Sequence, residues 1–417
     1  MSRVIVIGGG AAGMMAAIAA GQKGHEVIIL EKNEKLGKKI YITGKGRGNL
    51  TNACDVSEFF DNVPRNPKFL YSALYGFTSQ DMIDFMEAAG VPVKVERGNR
   101  VFPASDHASD ITRALEKRIR ELGITVRLNT GVEKLMVEDD REDPDGRKIN
   151  GVITNARERL SADAVIMATG GLSYQTTGSN GEGHGMLRSL GLKLTQCFPS
   201  LVALETGEDD THELAGLSLK NVGLMVKSGK KVFYEGFGEM LFTHNGISGP
   251  LGLSASSYIA DKLNGDKTFE VYIDLKSALD KDKLYDRICR DIDANPKREL
   301  SFLMNGLLPK SLAAVMEKRL GIDVKKHLCD VTRQERLSIV EILKGFRLTV
   351  TGSGPFKEAI ITRGGLDVRE IDPSTMRVKT VSGLYVAGEL IDVDALTGGF
   401  NLQIAFSTGH LAGSSIE

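Results

Sequence analysis

The stretch RVIVIGGGAAGMMAAIAAGQKGHEVIILEK, residues 3–32, decides the fold. Arg3–Ile7 is a short apolar run rich in β-branched residues and predicts a buried strand. Ala11–Gln22 is a helix of small residues, and Glu26–Leu30 is a second strand that ends at Glu31. Between strand and helix stands Gly8-x-Gly10-x-x-Gly13, with Ala17 four residues on. Gly8 permits the tight turn, Gly10 lets a pyrophosphate approach the backbone, and Gly13 lets the helix pack on the strand. The free N–H groups and the dipole at the start of that helix attract phosphates. Glu31 is placed to accept hydrogen bonds from an adenosine ribose, and its charge disfavours a 2′-phosphate. Strand, helix, strand and acid follow in the right order, which sets aside an ordinary glycine-rich turn. The motif does not distinguish FAD from NAD.

The same stretch has a competing reading. Val4 to Gln22 carries no charge and is flanked by Arg3 and Lys23, as a membrane anchor or signal peptide would be. A spanning helix needs roughly 20 apolar residues in one run, and Gly8–Gly10 breaks this one. A soluble protein with no membrane partner is expected. The chain has 417 residues, 41% hydrophobic and 26% charged, an ordinary globular composition. Lys+Arg 53 against Asp+Glu 54 gives a net charge of -1, so no general electrostatic grip on nucleic acid is expected. Cys54, Cys197, Cys289 and Cys329 are far apart and form no CxxC pair. They read as buried free thiols in a reducing, bacterial-type cytoplasm. No Ser-His-Asp grouping, HExxH or metal-ligand cluster is visible, so neither a hydrolase nor a metal site is expected.

Further along, Lys32–Asn52 is a polar, glycine-punctuated loop. Thr78–Ala89 and Asp106–Leu122 show helical spacing of apolar residues, and Thr125–Ile153 reads as a hairpin turned by DDREDPDGR, residues 139–147. Ala164–Ala168 is a short strand ending in Thr169-Gly170-Gly171. Residues 193–275 alternate apolar and polar residues, as in a small antiparallel barrel, and Asp280–Lys344 turns helical and charged. Strands return from Phe346, with a strand at Gly383–Ala387 and a helix at Asn401–Ala412. The expected architecture is α/β: a Rossmann-like nucleotide-binding domain, 1–191 and 346–417, interrupted by a β-barrel insert, 192–278, and a small helical insert, 279–345.

The C-terminal segment GLYVAGELIDVDALTGGFNLQIAFSTGHLAG, Gly383–Gly413, favours FAD over NAD. If its strand lies beside the N-terminal unit, Gly388 and Glu389 reach the middle of an extended dinucleotide. The helix from Asn401 then points its N–H groups into the same cleft, where they stabilise negative charge on a reduced flavin. A plain Rossmann helix with a glycine-rich cap accounts for the spacing equally well.

Several long motifs form one set with that segment: KLGKKIYITGKGRGNLTN (35–52), NRVFPASDHASDITRAL (99–115), ATGGLSYQTTGSNGEGHG (168–185), GEMLFTHNGISGP (238–250) and ITRGGLDVREIDPSTM (361–376). Over nearly its whole length the chain closely resembles the BaiN / aminoacetone-oxidase-like family of bacterial flavoproteins, which belongs with the fumarate-reductase-like and glutathione-reductase-like FAD proteins. The resemblance implies a non-covalently bound FAD. It implies that Gly8, Gly10, Ala11, Ala12, Gly13, Glu31, Lys32, Arg47, Gly48, Asn49, Thr51 and the backbone at Val132 surround the cofactor. With them go Ala168, Thr169, Gly170, Gly388, Glu389, Asn401, Leu402, Gln403 and Ile404. Where the family commonly reads GRCN, this chain has Gly46-Arg47-Gly48-Asn49, so any role of a cysteine there is absent. Lys35, Lys38, Lys39 and Lys45 read as a solvated basic loop, whereas Arg47 sits among glycines that bring the backbone close.

No general acid or base is assigned: His244 reads first as structural and only second as catalytic, and Tyr174 and His184 carry the same ambiguity. The expected function is an FAD-dependent oxidoreductase acting on a small molecule. There is no second GxGxxG domain, so NAD(P)H would bind transiently at the flavin. The resemblance offers reduction of an apolar conjugated enone with NAD(P)H, which is favoured, and oxidation of a small amino ketone by O₂. A non-catalytic FAD-binding regulatory protein is the rival of another class.

Overall fold

A computed structural model describes residues 1–139, 146–263, 265 and 267–417. The chain divides into two units, Met1–Ser200 with Phe356–Glu417, and Leu201–Pro355.

The first unit is built on a five-stranded parallel sheet. Its order is Leu384–Val386, Ala164–Met167, β1 (Arg3–Ile7), β2 (Glu26–Leu30), Thr125–Arg127. Apart from Arg3 and Glu26, β1 and β2 are buried throughout, as continuous apolar runs in a parallel sheet must be. The helix α1 (Ala11–Gln22) joins them and is buried over Ala11–Ala20. The last helix, Phe400–Ser414, lies against α1 at backbone contact. A Cβ at Gly409 would overlap the carbonyl oxygen of Ala12, and one at Gly413 that of Ala16. The alanine-rich face of α1 and these two glycines let the helix axes approach where larger side chains would hold them apart. Four carboxyl ends sit side by side: Glu31 after β2, Gly8 after β1, Ala168-Thr169-Gly170 after Ala164–Met167, and Ala387-Gly388-Glu389 after Leu384–Val386. In a doubly wound sheet that edge is where ligands bind.

The expected hairpin is present as Val132–Asp139 and Arg147–Thr154, with Arg159–Ser161 as a third strand. Most of its expected turn, 140–145, lies outside the described residues. The two expected helices run Ser79–Ala88 and Ala108–Glu121. Thr78 caps the first reciprocally with Asp81, a local signal that fixes its start.

The second unit is a closed six-stranded barrel with helices. Its strands, in order round the barrel, are Leu204–Thr206, Gly246–Ser248, Lys231–Thr243, Ser218–Ser228, Phe269–Asp274 and Phe346–Ser353. The last of these pairs with both Phe269–Asp274 and Leu204–Thr206, so the barrel closes on a strand from beyond the helices. Barrel residues Val226, Val271 and Leu348 share one apolar core with Leu284, Ile288, Leu312 and Ile339 of the helices. The first unit takes the chain back at Phe356. All four cysteines are free, and none is fully buried: Cys54, Cys197 and Cys289 are partly covered and Cys329 is exposed. That corrects the expectation of buried thiols. No helix among the described residues is long and apolar enough to cross a membrane.

Candidate functional site

One cleft of the first unit runs along the carboxyl edge of the parallel sheet. At its middle stands the start of α1. Gly10 is the N-cap residue, no side chain caps the helix, and no acidic residue occupies its first turn. The glycines act as their spacing predicts. A Cβ at Gly8 would stand 2.5 Å from the carbonyl oxygen of Ala168, and one at Gly13 would overlap that of Gly8. At Gly10, by contrast, no atom of the chain lies within 4 Å of a Cβ position. The first two glycine-dependent approaches are internal to the fold, and the third faces the cleft.

Glu31 is buried at one end. Its Oε2 accepts from Gly9 N (2.7 Å) and its Oε1 from Asn33 N (2.8 Å) and Nδ2 (2.7 Å). These bonds fix the carboxylate and leave further acceptor capacity for a ribose. Lys32 beside it reaches Asn180 Oδ1 (2.9 Å) and Glu182 Oε2 (2.8 Å), and Asn33 Nδ2 donates to Thr177 O (3.0 Å). The segment after Gly171 is thereby tied across this end of the cleft.

The last helix starts at the other end. Its N-cap is Gly399, at φ +99, again with no side-chain cap and no acid in the first turn. Asn401 and Leu402 line the cleft. The Asn401 side chain itself turns back, accepting from Ala395 N (2.9 Å) and donating to Ala395 O (2.7 Å), which leaves backbone N–H groups to face a ligand.

Gly8, Gly10, Ala11, Ala12, Glu31, Lys32, Val132, Ala168, Thr169, Gly170, Gly388, Glu389, Asn401 and Leu402 are thus brought together along one cleft. The remaining expected residues are not part of its lining. Gly13 packs under the turn. Thr51 Oγ1 donates to Gln403 Oε1 (2.7 Å) inside the core, and Gln403 Nε2 donates to Phe77 O (3.1 Å). Ile404 is buried behind them. With its amide suitably turned, Asn49 accepts from Gly399 N (3.0 Å) and donates to Val101 O (3.3 Å), so it braces the last helix.

Arg47 points elsewhere. Its guanidinium binds Glu96 (2.5 Å) and Asp106 (2.6 Å) and lies over the Phe102 ring (4.2 Å). Hydrogen bonds from Arg47 to Glu96, and from Lys94 and then Arg47 to Asp106, hold both carboxyls below their usual range. Two carboxylates and a ring satisfy this arginine, so the glycines around it do not deliver its charge to the cleft.

Gly48 has its own explanation. Its φ is +76, and a Cβ would stand 2.7 Å from Ile111 Cδ1 and 2.8 Å from Ala108 Cα. The helix Ala108–Glu121 occupies the place where the resembling family carries a thiol.

None of the acid–base candidates lines the cleft. His184 is buried on the helix Glu182–Ser189, and burial pushes its imidazole towards the neutral form. Burial likewise raises the Tyr174 phenol. His244 is exposed at a barrel turn of the second unit. Sequence reasoning missed Lys38, Lys39, Asn33, Ser179, Asn180 and Glu182, all of which line the cleft. Their signal was available, since they sit just after β2 and just after the ATGG turn.

Two uncapped helix starts, a ribose-competent carboxylate and the open space at Gly10 fit an extended dinucleotide such as FAD. Comparison with known proteins agrees. The family model described as HI0933-like protein Rossmann domain matches residues 2–415. The chain is 31% identical to the 3-dehydro-bile acid delta(4,6)-reductase of Clostridium scindens, over 99% of this chain and 98% of that protein. It is 30% identical to the ribosomal RNA dihydrouridine synthase of Haemophilus influenzae, over 100% of this chain and 98% of that protein. Among solved structures, Mycobacterium smegmatis Sdh1 in complex with UQ1 aligns with 99% of this chain and 68% of its own, at 18% identity and a TM-score of 0.50, a likeness of fold alone.

Proposed function

The chain belongs to the HI0933-like family of FAD-binding Rossmann proteins and is an FAD-dependent oxidoreductase, and from that premise we propose that it uses NAD(P)H to saturate a carbon–carbon double bond conjugated to a carbonyl, in an apolar, steroid-like enone. What carries the reading is that three relatives near 30% identity bear two different names for one kind of reaction. A Δ4,6 3-oxo bile acid and the uracil ring of uridine each present a double bond conjugated to a carbonyl. In balance, NAD(P)H, a proton and the enone give NAD(P)⁺ and the saturated ketone.

Bound in the cleft, the flavin supplies hydride acceptance from the nicotinamide and hydride delivery to the β-carbon. The chain's own residues bind and orient. The start of α1 at Gly10 takes the pyrophosphate, and Glu31 and the tied segment 177–182 hold the adenosine. The start of the last helix at Asn401 and Leu402 favours negative charge on the isoalloxazine edge.

The second reading is the same reduction on uridine in RNA, and the Haemophilus influenzae relative favours it. A net charge of -1 averages the whole chain and does not exclude an RNA partner. Anaerobic stopped-flow absorbance tests the proposal. Bleaching of the flavin band by NADH or NADPH, with reoxidation by a steroid enone faster than by O₂, is expected. Bleaching by aminoacetone alone would overturn it in favour of an oxidase. Reoxidation by ribosomal RNA but not by the enone would move the substrate to RNA.

A further inference from the structure

We infer that Lys39 complements the negative charge of the cofactor's pyrophosphate, with Glu389 and Ser173 holding its ammonium in position. The inference rests on the cofactor and not on which enone is reduced.

Lys39 belongs to a run of lysines that the sequence presents as solvated. In the fold its Nζ lies 2.6 Å from Glu389 Oε2 and 2.6 Å from Ser173 Oγ, with the side chain 25% exposed and that of Glu389 12%. The acceptors are themselves fixed. Ser173 is fully buried and donates to Glu389 Oε1 (2.6 Å), and Thr362 N donates to the same oxygen (2.8 Å). Thr362 Oγ1 in turn accepts from the backbone N–H groups of Leu172 (2.7 Å) and Ser173 (3.1 Å). A long flexible side chain held by two acceptors on separate segments is placed, not merely dissolved.

Its place is beside the start of α1, at the middle of the cleft. A Cβ at Gly388 would stand 2.8 Å from Ala12 Cβ, so Gly388 abuts the first turn of α1 and Glu389 follows directly. The charge balance then needs a cation there. The cleft is lined by the carboxylates of Glu31, Glu182 and Glu389 and by the ammonium groups of Lys32, Lys38 and Lys39. Lys32 serves Glu182 at the adenosine end, and Lys38 leans to Glu34 (3.1 Å). The start of α1 contributes only about half a unit of positive charge. A pyrophosphate with two negative charges, arriving beside the Glu389 carboxylate, requires more than that, and Lys39 is the ammonium at hand.

Calorimetric titration of the full chain, stripped of flavin, tests this with FAD, ADP and riboflavin as probes at low and high salt. Lys39→Gln is expected to weaken FAD and ADP about tenfold, to flatten the salt dependence of both, and to leave riboflavin unchanged. Lys39→Arg should recover most of the loss, and Lys45→Gln, an exposed lysine of the same loop outside the cleft, should show none. Unchanged FAD and ADP affinity in Lys39→Gln would overturn the inference. So would an equal loss for riboflavin, which has no phosphate. If Lys39→Gln fails to fold with Glu389 unpaired, the Lys39→Gln/Glu389→Gln pair is compared with Glu389→Gln alone. The same tenfold difference for FAD supports the inference, and equal affinities sink it.

Discussion

Valine at position 10 should leave the first unit folded and take away its cofactor. Gly10 has φ -79 and ψ -170, a conformation open to any residue, and nothing in the chain stands within 4 Å of the new Cβ. The folding cost is then limited to the weaker N-cap preference of valine, about 1 kcal/mol. The branched side chain stands where the N–H groups of α1 face the pyrophosphate, so it blocks approach to the middle of the cleft. Wild-type protein with FAD at about 100 times its Kd gains about 2.7 kcal/mol of stability. For a unit of this size that is a rise in Tm of roughly 5–10 °C. Thermal melts with and without FAD, together with chromatography of released flavin, should show that rise in wild type and none in Gly10→Val. Melting without FAD should nearly coincide. Gly13→Val supplies the contrast, because its Cβ overlaps the Gly8 carbonyl and it should lose stability before any ligand is added. If Gly10→Val still shifts with FAD as wild type does, the pyrophosphate does not lie at the start of α1 and the cleft has been read wrongly.

Gly399→Asp should disrupt the fold, since φ +99 disfavours any side chain and the new Cβ overlaps the Thr51 carbonyl; a soluble, flavin-loaded variant with wild-type melting would contradict this. Gln403→Leu removes one hydrogen bond each from Thr51, Ser407 and Phe77 O, which keep their bonds to Ser79 and to each other, and should cost about 1–3 kcal/mol in urea unfolding while leaving the bound-flavin spectrum unchanged, so a shifted spectrum would return Gln403 to the cofactor shell. Gly48→Cys should destabilise through its overlap with Ala108 and Ile111, and an unchanged melting temperature would show that the helix yields freely. His184 is held neutral by burial, so its folded pKa lies below the unfolded value of about 6.5. Its contribution is full above that pH and lost as pH falls towards the folded pKa. Melts from pH 8 to 5 should therefore fall more steeply for wild type than for His184→Gln, and parallel curves would refute the assignment.

The sequence made the first strand–helix–strand unit readable because its signals are local. A β-branched run, a glycine triplet and an alanine-rich helix each state their own conformation, and β1, α1 and β2 fall where they are expected. The barrel was legible as alternation and a strand was expected from Phe346, but it was assigned to the nucleotide-binding domain and not to the barrel it closes, because pairing across the intervening helices leaves no local trace. The site divided in the same way. Backbone contributions at Gly8, Gly10, Gly388 and Asn401 follow from spacing. Side-chain contributions do not, because a lysine in a polar loop reads alike whether it meets solvent or a carboxylate. Arg47 and Lys39 show the two errors. The arginine, singled out by its glycine neighbours, is satisfied by Glu96 and Asp106, while the lysine assigned to solvent is bound to Glu389.

The crossing of α1 and the last helix sets more than their packing. Both helices begin in the cleft, and both are pinned where Gly409 and Gly413 meet the carbonyls of Ala12 and Ala16. The gap between the two helix starts is therefore gauged from inside the core, like the jaws of a caliper locked at its pivot, and not by the loops that surround it. A molecule that grips one jaw alone gains nothing from the other. A methyl group at the pivot would therefore open both jaws at once.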